Sequence, residues 1–124
     1  ELAARGTDGR IFPWGDIPEP TEANTHRLGL RMTMPVSWYA KNVSPDGVCD
    51  LIGNAREITH SPAPSGGVVL RGGSWFDFAL YGKCCFRAHS RPELRDGTTG
   101  FRCVRRPRPR LARAGLRPAR STAT

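Results

Sequence analysis

The chain lacks any long hydrophobic run, any Cys-x-x-Cys pair and any acidic residue after position 104. No apolar stretch approaches the roughly 18–20 residues of a transmembrane helix, so the sequence predicts no membrane span. No signal-peptide pattern opens the sequence, which favours a cytoplasmic location over a secreted one. The four cysteines and three histidines do not follow the usual spacing of zinc ligands. We therefore expect neither a metal site nor a cofactor.

Glycine and proline are abundant instead, with 14 and 11 residues respectively in a chain of 124. This composition predicts one small, turn-rich domain with short strands. Residues 1–104 are almost balanced in charge, whereas residues 105–124 form an Arg/Pro-rich tail with seven arginines. The tail suits a solvated extension better than a nucleic-acid site, because no aromatic residues interleave with its arginines. Nucleic-acid binding stays a less favoured alternative.

Local signals outline the elements of the domain. The opening Glu-Leu-Ala-Ala-Arg-Gly is typical of the end of a helix stopped by Gly6, and we expect that helix to begin in a longer polypeptide. Turns are predicted at 44–47 and 53–54, and strands at 68–75 and 100–104. The remaining predictions concern the interior: buried tryptophans at 14, 38 and 75, and buried thiols at 49 and 103.

Between the two predicted strands lies a segment, residues 76–91, with many aromatics but neither helical nor alternating periodicity. Aromatic side chains supply large contact areas at low entropic cost, as they do in antibody loops. The segment and the loop after it therefore predict an exposed recognition surface, although the fold could also bury part of it. The candidate ligand-binding residues are Phe76, Asp77, Phe78, Leu80, Tyr81, Cys84, Cys85, Phe86, His89, Arg95 and Asp96. We predict no catalytic residue among them, because His89 has no evident partner in sequence.

Six short blocks occur in an order that resembles the C-terminal half of the formylglycine-generating enzyme, or sulfatase-modifying factor, family. The blocks are Ala-Ala-Arg-Gly (3–6), Phe-Pro-Trp-Gly-Asp (12–16), Pro-Val (35–36), Ser-Pro-Asp-Gly-Val-Cys-Asp-Leu-Ile-Gly-Asn-Ala-Arg-Glu (44–57), Arg-Gly-Gly-Ser-Trp (71–75) and Gly-Phe-Arg (100–102). The resemblance implies an α+β C-type lectin fold over residues 1–104, with an N-terminal half that precedes residue 1.

The resemblance does not imply the family's enzymatic activity. In the enzymes that make formylglycine, two cysteines five positions apart follow the Gly-Gly-Ser motif and bind copper. The nearest positions here are Asp77 and either Gly82 or Lys83, and the thiols fall on adjacent residues instead. The aromatic residues that the family places at 56 and 58 are an arginine and an isoleucine in this sequence. We therefore do not expect formylglycine generation.

A second branch of the same fold, the variable proteins of diversity-generating retroelements, resembles the chain more closely. That branch keeps Arg-Gly-Gly-Ser-Trp and Gly-Phe-Arg as fixed frames around codons that are diversified at adenines. The resemblance implies a non-catalytic protein that binds a macromolecular ligand, such as a protein, through a diversified surface at about residues 76–96. The alternative is a metal-dependent oxidoreductase or a regulatory domain of the formylglycine-generating enzyme and sulfoxide synthase family.

Overall fold

The computed structural model describes residues 1–18, 21–64 and 66–105. Its α-helix is the single turn α1 (Leu2–Arg5), and two 3₁₀ helices span His26–Leu28 and Ala79–Gly82. The strands are β1 (Arg56–Pro62), β2 (Val68–Arg71), β3 (Ala88–Ser90) and β4 (Thr99–Gly100). Most of the remaining described chain forms turns and irregular segments, as its glycine and proline content predicts. Within the described residues, no helix combines the length and the apolar character needed to cross a bilayer.

The four strands form one mixed sheet in the order β3-β2-β1-β4. β2 lies antiparallel to both β1 and β3, whereas β1 and β4 run parallel. The β-branched valines at 68 and 69 favour the extended backbone of the central strand β2. A register shift between Ile58 and Pro62 interrupts the pairing of β1 with β2. The architecture is a mixed sheet with very little helix.

The interior combines a few apolar side chains with buried polar ones. Phe12, Ile52, Val69 and Leu70 are each at most 4% exposed. Asn42, 1% exposed, donates from its side-chain amide to the carbonyl of Ile52 over 2.7 Å. Buried amides of this kind satisfy backbone carbonyls that a loop-rich fold cannot pair in a sheet. The irregular backbone is therefore tied down by side chains as well as by strand pairing.

Several local predictions are confirmed. The helix α1 ends at Gly6, whose φ is 61°. In the turn at 44–47, the Gly47 amide donates to the Ser44 carbonyl over 2.9 Å. Gly53 and Asn54 both have positive φ, 74° and 65°. Asn54 also bonds to the backbone of Met34 through both ends of its amide, so this turn fixes a distant loop.

Other local predictions are wrong. Trp38 is 63% exposed, because its turn at 35–38 lies on the surface of the described chain. Cys103 is exposed and Cys49 is only half-buried, since the strand predicted at 100–104 is reduced to the pair Thr99–Gly100. The strand predicted at 68–75 ends at Arg71, directly before the double glycine.

Ion pairs join the segments next to the sheet. Arg102 pairs with Glu57, and its guanidinium also donates to the carbonyls of Cys49 and Asp50. Arg71 pairs with Glu1 over 2.7 Å and donates to two backbone carbonyls. Both arginines therefore pair with acidic residues inside the domain.

Candidate functional site

The candidate site begins where β2 ends in a double glycine. Gly72 and Gly73 have φ of 89° and 68°, a region that other residues rarely occupy. A Cβ on Gly72 would also lie 2.5 Å from the carbonyl oxygen of Leu51. The chain can therefore reverse here only because both residues lack a side chain. The reversal carries Ser74 into the interior, where it is fully buried.

The side chain of Asp77, which follows the reversal in sequence, holds the reversal in place. Its carboxylate accepts hydrogen bonds from the Ser74 amide at 2.9 Å and the Ser74 hydroxyl at 2.8 Å. It also forms a two-point ion pair with Arg56 of β1, with Nε at 2.8 Å from Oδ2. Burial alone would raise the pKa of Asp77, but the hydrogen bonds from Arg56 and Ser74 outweigh burial and lower it below its ordinary value. We call Arg56, Gly72, Gly73, Ser74 and Asp77 the frame.

The side chains next to Asp77 along the chain point outward. Phe76 and Phe78 are 60% and 61% exposed. Their ring contacts are with His26, at centroid distances of 6.4 and 4.8 Å, and Phe76 also meets Trp75 edge-on at 5.9 Å. The His26 amide donates to the Asp77 carbonyl over 2.9 Å, which brings the 3₁₀ helix at 26–28 to this place. We call His26, Trp75, Phe76 and Phe78 the ring surface.

The 3₁₀ helix Ala79–Gly82 follows Phe78 in sequence and adds further exposed side chains. We call the ring surface together with Leu80 and Tyr81 the exposed aromatic region. Leu80 is 60% exposed and Tyr81 is 42% exposed. The ring of Tyr81 meets the half-buried Phe86 edge-on, with 5.0 Å between the centroids and 80° between the planes. Of the aromatic side chains in the segment that the sequence predicts to be exposed, Phe76, Phe78 and Tyr81 are exposed and Phe86 is half-buried.

Two predicted surface residues lie inside instead. Cys84 is 6% exposed and its amide donates to the Ile11 carbonyl over 2.8 Å. Burial raises the pKa of the Cys84 thiol, so the thiol stays protonated at neutral pH. Asp77 belongs to the frame and has no carboxylate oxygen free of an internal partner. We correct the predicted surface by removing Cys84 and Asp77 from it.

The remaining predicted residues are exposed but lie apart from the ring surface in sequence. Cys85, His89, Arg95 and Asp96 are all exposed. Asp96 accepts hydrogen bonds from the Thr98 amide at 2.8 Å and the Thr98 hydroxyl at 2.9 Å. The Thr98 amide is the main cause that lowers the pKa of the Asp96 carboxyl. Asp96 therefore orders its own turn as well as facing solvent.

The residues present do not fit the copper pair of the formylglycine-generating enzymes. Asp77 is committed to Arg56 and Ser74, and Gly82 has no side chain. Cys84 is buried whereas its neighbour Cys85 is exposed, so the two thiols do not face one place. Across residues 1–18, 21–64 and 66–105, no three His, Cys, Asp or Glu side chains are grouped as metal ligands would be.

Sequence reasoning missed two contributors to the site. His26 contacts the ring of Phe78 at a tilt of 58° from a segment 52 positions earlier in the chain, and no local pattern marks it. In the sequence, Arg56 stands out only because the family places an aromatic residue at that position. Its guanidinium is nevertheless the ion-pair partner that holds Asp77. The sequence signal for this ion pair is the opposite charge of the residue at position 77.

Comparison with known proteins agrees with the resemblance seen in the sequence. The family model described as the sulfatase-modifying factor enzyme 1-like domain matches residues 1–107. The uncharacterized protein YfmG of Bacillus subtilis (strain 168) is 30% identical over 147 aligned positions, which cover 85% of this chain and 30% of YfmG. Among solved structures, Treponema denticola variable protein 1 superposes with a TM-score of 0.66 at 25% identity. That superposition covers 80% of this chain and 42% of the Treponema protein, so the chain spans less than half of each relative.

Proposed function

Because the chain belongs to the sulfatase-modifying factor enzyme 1-like family and shares the C-type lectin fold of Treponema denticola variable protein 1, we propose that it is a non-catalytic ligand-binding protein. Its binding surface comprises the ring surface together with the exposed residues Leu80, Tyr81, Cys85, His89, Arg95 and Asp96. The domain extends over residues 1–104. From residue 106 onward, the Arg/Pro-rich tail lies outside the described residues.

The observation that carries the proposal is the separation of frame and ring surface within a few residues. Ser74 and Asp77 have all their polar contacts inside the domain, whereas Phe76 and Phe78 expose about three-fifths of their area. Large exposed aromatic groups on a rigid support are the usual anchors of protein recognition. Solvent-facing side chains contribute little to stability, so such a support tolerates many replacements.

We propose further that this surface is diversified in the manner of retroelement variable proteins. Of the residues from 76 to 99, only Lys83 and Glu93 lie outside the set reachable from an AAC codon randomised at both adenines. The frame limits which of the reachable positions can vary. We expect variation at 76, 78, 80, 81, 85, 89, 95 and 96, and constancy at 77 and 84.

Sequencing the surrounding locus tests this proposal. A reverse transcriptase gene beside a near-identical copy of codons 76–96, with differences confined to adenines of that copy, is the expected result. Absence of any such copy would contradict diversification. Stoichiometric copper or iron in the purified protein would contradict the non-catalytic function and favour the oxidoreductase alternative.

A further inference from the structure

A small cavity of about 150 Å³ lies beside the sheet, at the inner edge of the exposed aromatic region. Leu70 of β2 and Ala88 of β3, which are paired in the sheet, contribute to its wall. Tyr81 and Phe86, in edge-on contact, contribute to the wall as well. Tyr81 is 42% exposed, so solvent reaches the cavity past this side chain. The cavity is thus continuous with the exposed aromatic region.

The charged groups that line the cavity have partners inside the domain. The Arg56 guanidinium is paired with Asp77 and also contacts the Thr98 hydroxyl. The Arg71 guanidinium donates to the carbonyls of Cys84 and Phe86 and pairs with Glu1. None of the buried side-chain polar atoms without a hydrogen-bond partner in the described residues belongs to the cavity wall. An apolar group that enters the cavity therefore needs to break none of these internal hydrogen bonds.

The size of the cavity selects its occupant. A cavity of about 150 Å³ has room for a benzene-sized group, and leucine, alanine, tyrosine and phenylalanine side chains form part of its wall beside the charged ones. Interfaces concentrate their binding energy where one side chain fills a pocket surrounded by less critical contacts. The ring surface supplies such surrounding contact area within the same short segment.

We propose that this cavity is an anchoring pocket, which receives one apolar side chain of about phenylalanine or leucine size from a protein bound across the exposed aromatic region. The inference rests on the proposed function and deepens it, because it assigns the partner's anchor chemistry. The partner contributes a protruding apolar residue, and shape and apolar contact select it. Surface positions can then change and alter affinity; replacement of Tyr81 changes the mouth of the pocket, whereas Leu70, Phe86 and Ala88 keep its wall.

Benzene titrated into the full chain tests the pocket, with the methyl groups of Leu70 and Ala88 followed by NMR. We expect saturable shifts at these methyls. Ala88→Leu, which fills the cavity, should weaken benzene binding by at least about tenfold. The matched control Ala40→Leu makes the same change in an exposed turn and should leave binding unchanged. If Ala88→Leu fails to fold, Ala88→Val fills the cavity in part and should give an intermediate loss.

No saturable shift, or equal binding by Ala88→Leu and the parent chain, would overturn the pocket. Shifts confined to the ring surface would overturn it as well, because they would place the apolar site there instead. This result is independent of the locus comparison: a locus without a diversified copy removes the diversification proposal and leaves the outcome of the titration unaffected.

Discussion

Most of the frame and most of the ring surface lie in the same short segment, residues 72–78, yet they depend on the fold in opposite ways. Ser74 is fully buried, and the Asp77 carboxylate makes three kinds of contact with two residues. Phe76 and Phe78 expose most of their area and touch mainly other rings. The difference shows that the aromatic side chains of this segment do not mark its buried side. The small and charged residues of the segment hold its backbone in place instead.

The strongest test of the frame is Asp77→Ala. The substitution leaves the Arg56 guanidinium half-buried without its carboxylate and removes the oxygen that accepts from both the amide and the hydroxyl of Ser74. Because breaking a shielded ion pair leaves a charge without a partner, we expect a loss of about 3 kcal/mol in the free energy of unfolding. Urea denaturation measures this loss. The control Asp46→Ala removes an exposed carboxylate from a turn and should cost less than about 0.5 kcal/mol; equal losses in the two variants would contradict the frame.

A somewhat smaller effect is expected from Gly72→Ala. The new methyl group meets the Leu51 carbonyl oxygen at 2.5 Å and the residue must keep a φ of 89°. Strain in the left-handed region and the backbone contact together predict a loss of about 2 kcal/mol. Gly97→Ala is the matched control, since its Cβ meets nothing within 4 Å. A shift in the thermal midpoint as large for Gly97→Ala as for Gly72→Ala would show that the double glycine has no special constraint.

Acid should weaken the frame. The pKa of Asp77 is lower in the folded chain than its ordinary value, so the folded state binds this proton less tightly than the unfolded state does. The stabilisation is complete above about pH 4 and is lost as the pH falls from there through the folded pKa. Urea unfolding of the parent chain and of Asp77→Asn at several pH values measures it. The gap in stability between them should narrow on acidification; a gap that stays constant to pH 2 would contradict the assignment.

The smallest effect is expected on the ring surface itself. Phe76→Ser and Phe78→Ser remove exposed rings whose ring contacts are with His26 and, for Phe76, also with Trp75. Each should change the free energy of unfolding by no more than about 0.5 kcal/mol. Thermal and urea unfolding of both single variants provide the measurement. A loss above about 2 kcal/mol in either variant would place that ring in the core of the domain.

The sequence predicted those parts of the fold that depend on neighbouring residues. The turn at 53–54, the end of α1 at Gly6 and the β-branched strand β2 all arise from local backbone preferences. The double glycine is likewise a local signal in the sequence, and close packing and positive φ are both present there. Patterns of neighbouring residues therefore predict the main turns, the strand β2 and the position of the exposed segment.

Contacts between distant segments were not predictable in the same way. Arg56 and Asp77 are 21 positions apart, and His26 reaches the ring surface through a backbone hydrogen bond to Asp77. Trp38 was assigned to the core by its residue type, but its turn carries it outward. Burial depends on which segments meet, and a pattern within one segment does not contain that information.

Simultaneous randomisation of Phe76, Phe78, Leu80 and Tyr81, with resistance of the displayed variants to protease as the readout, tests the central claim most directly. The account predicts that most of these variants remain folded, whereas an equal library at Gly72, Gly73, Ser74 and Asp77 is almost entirely cleaved. A similar surviving fraction in both libraries would contradict the claim that a fixed frame supports a replaceable surface.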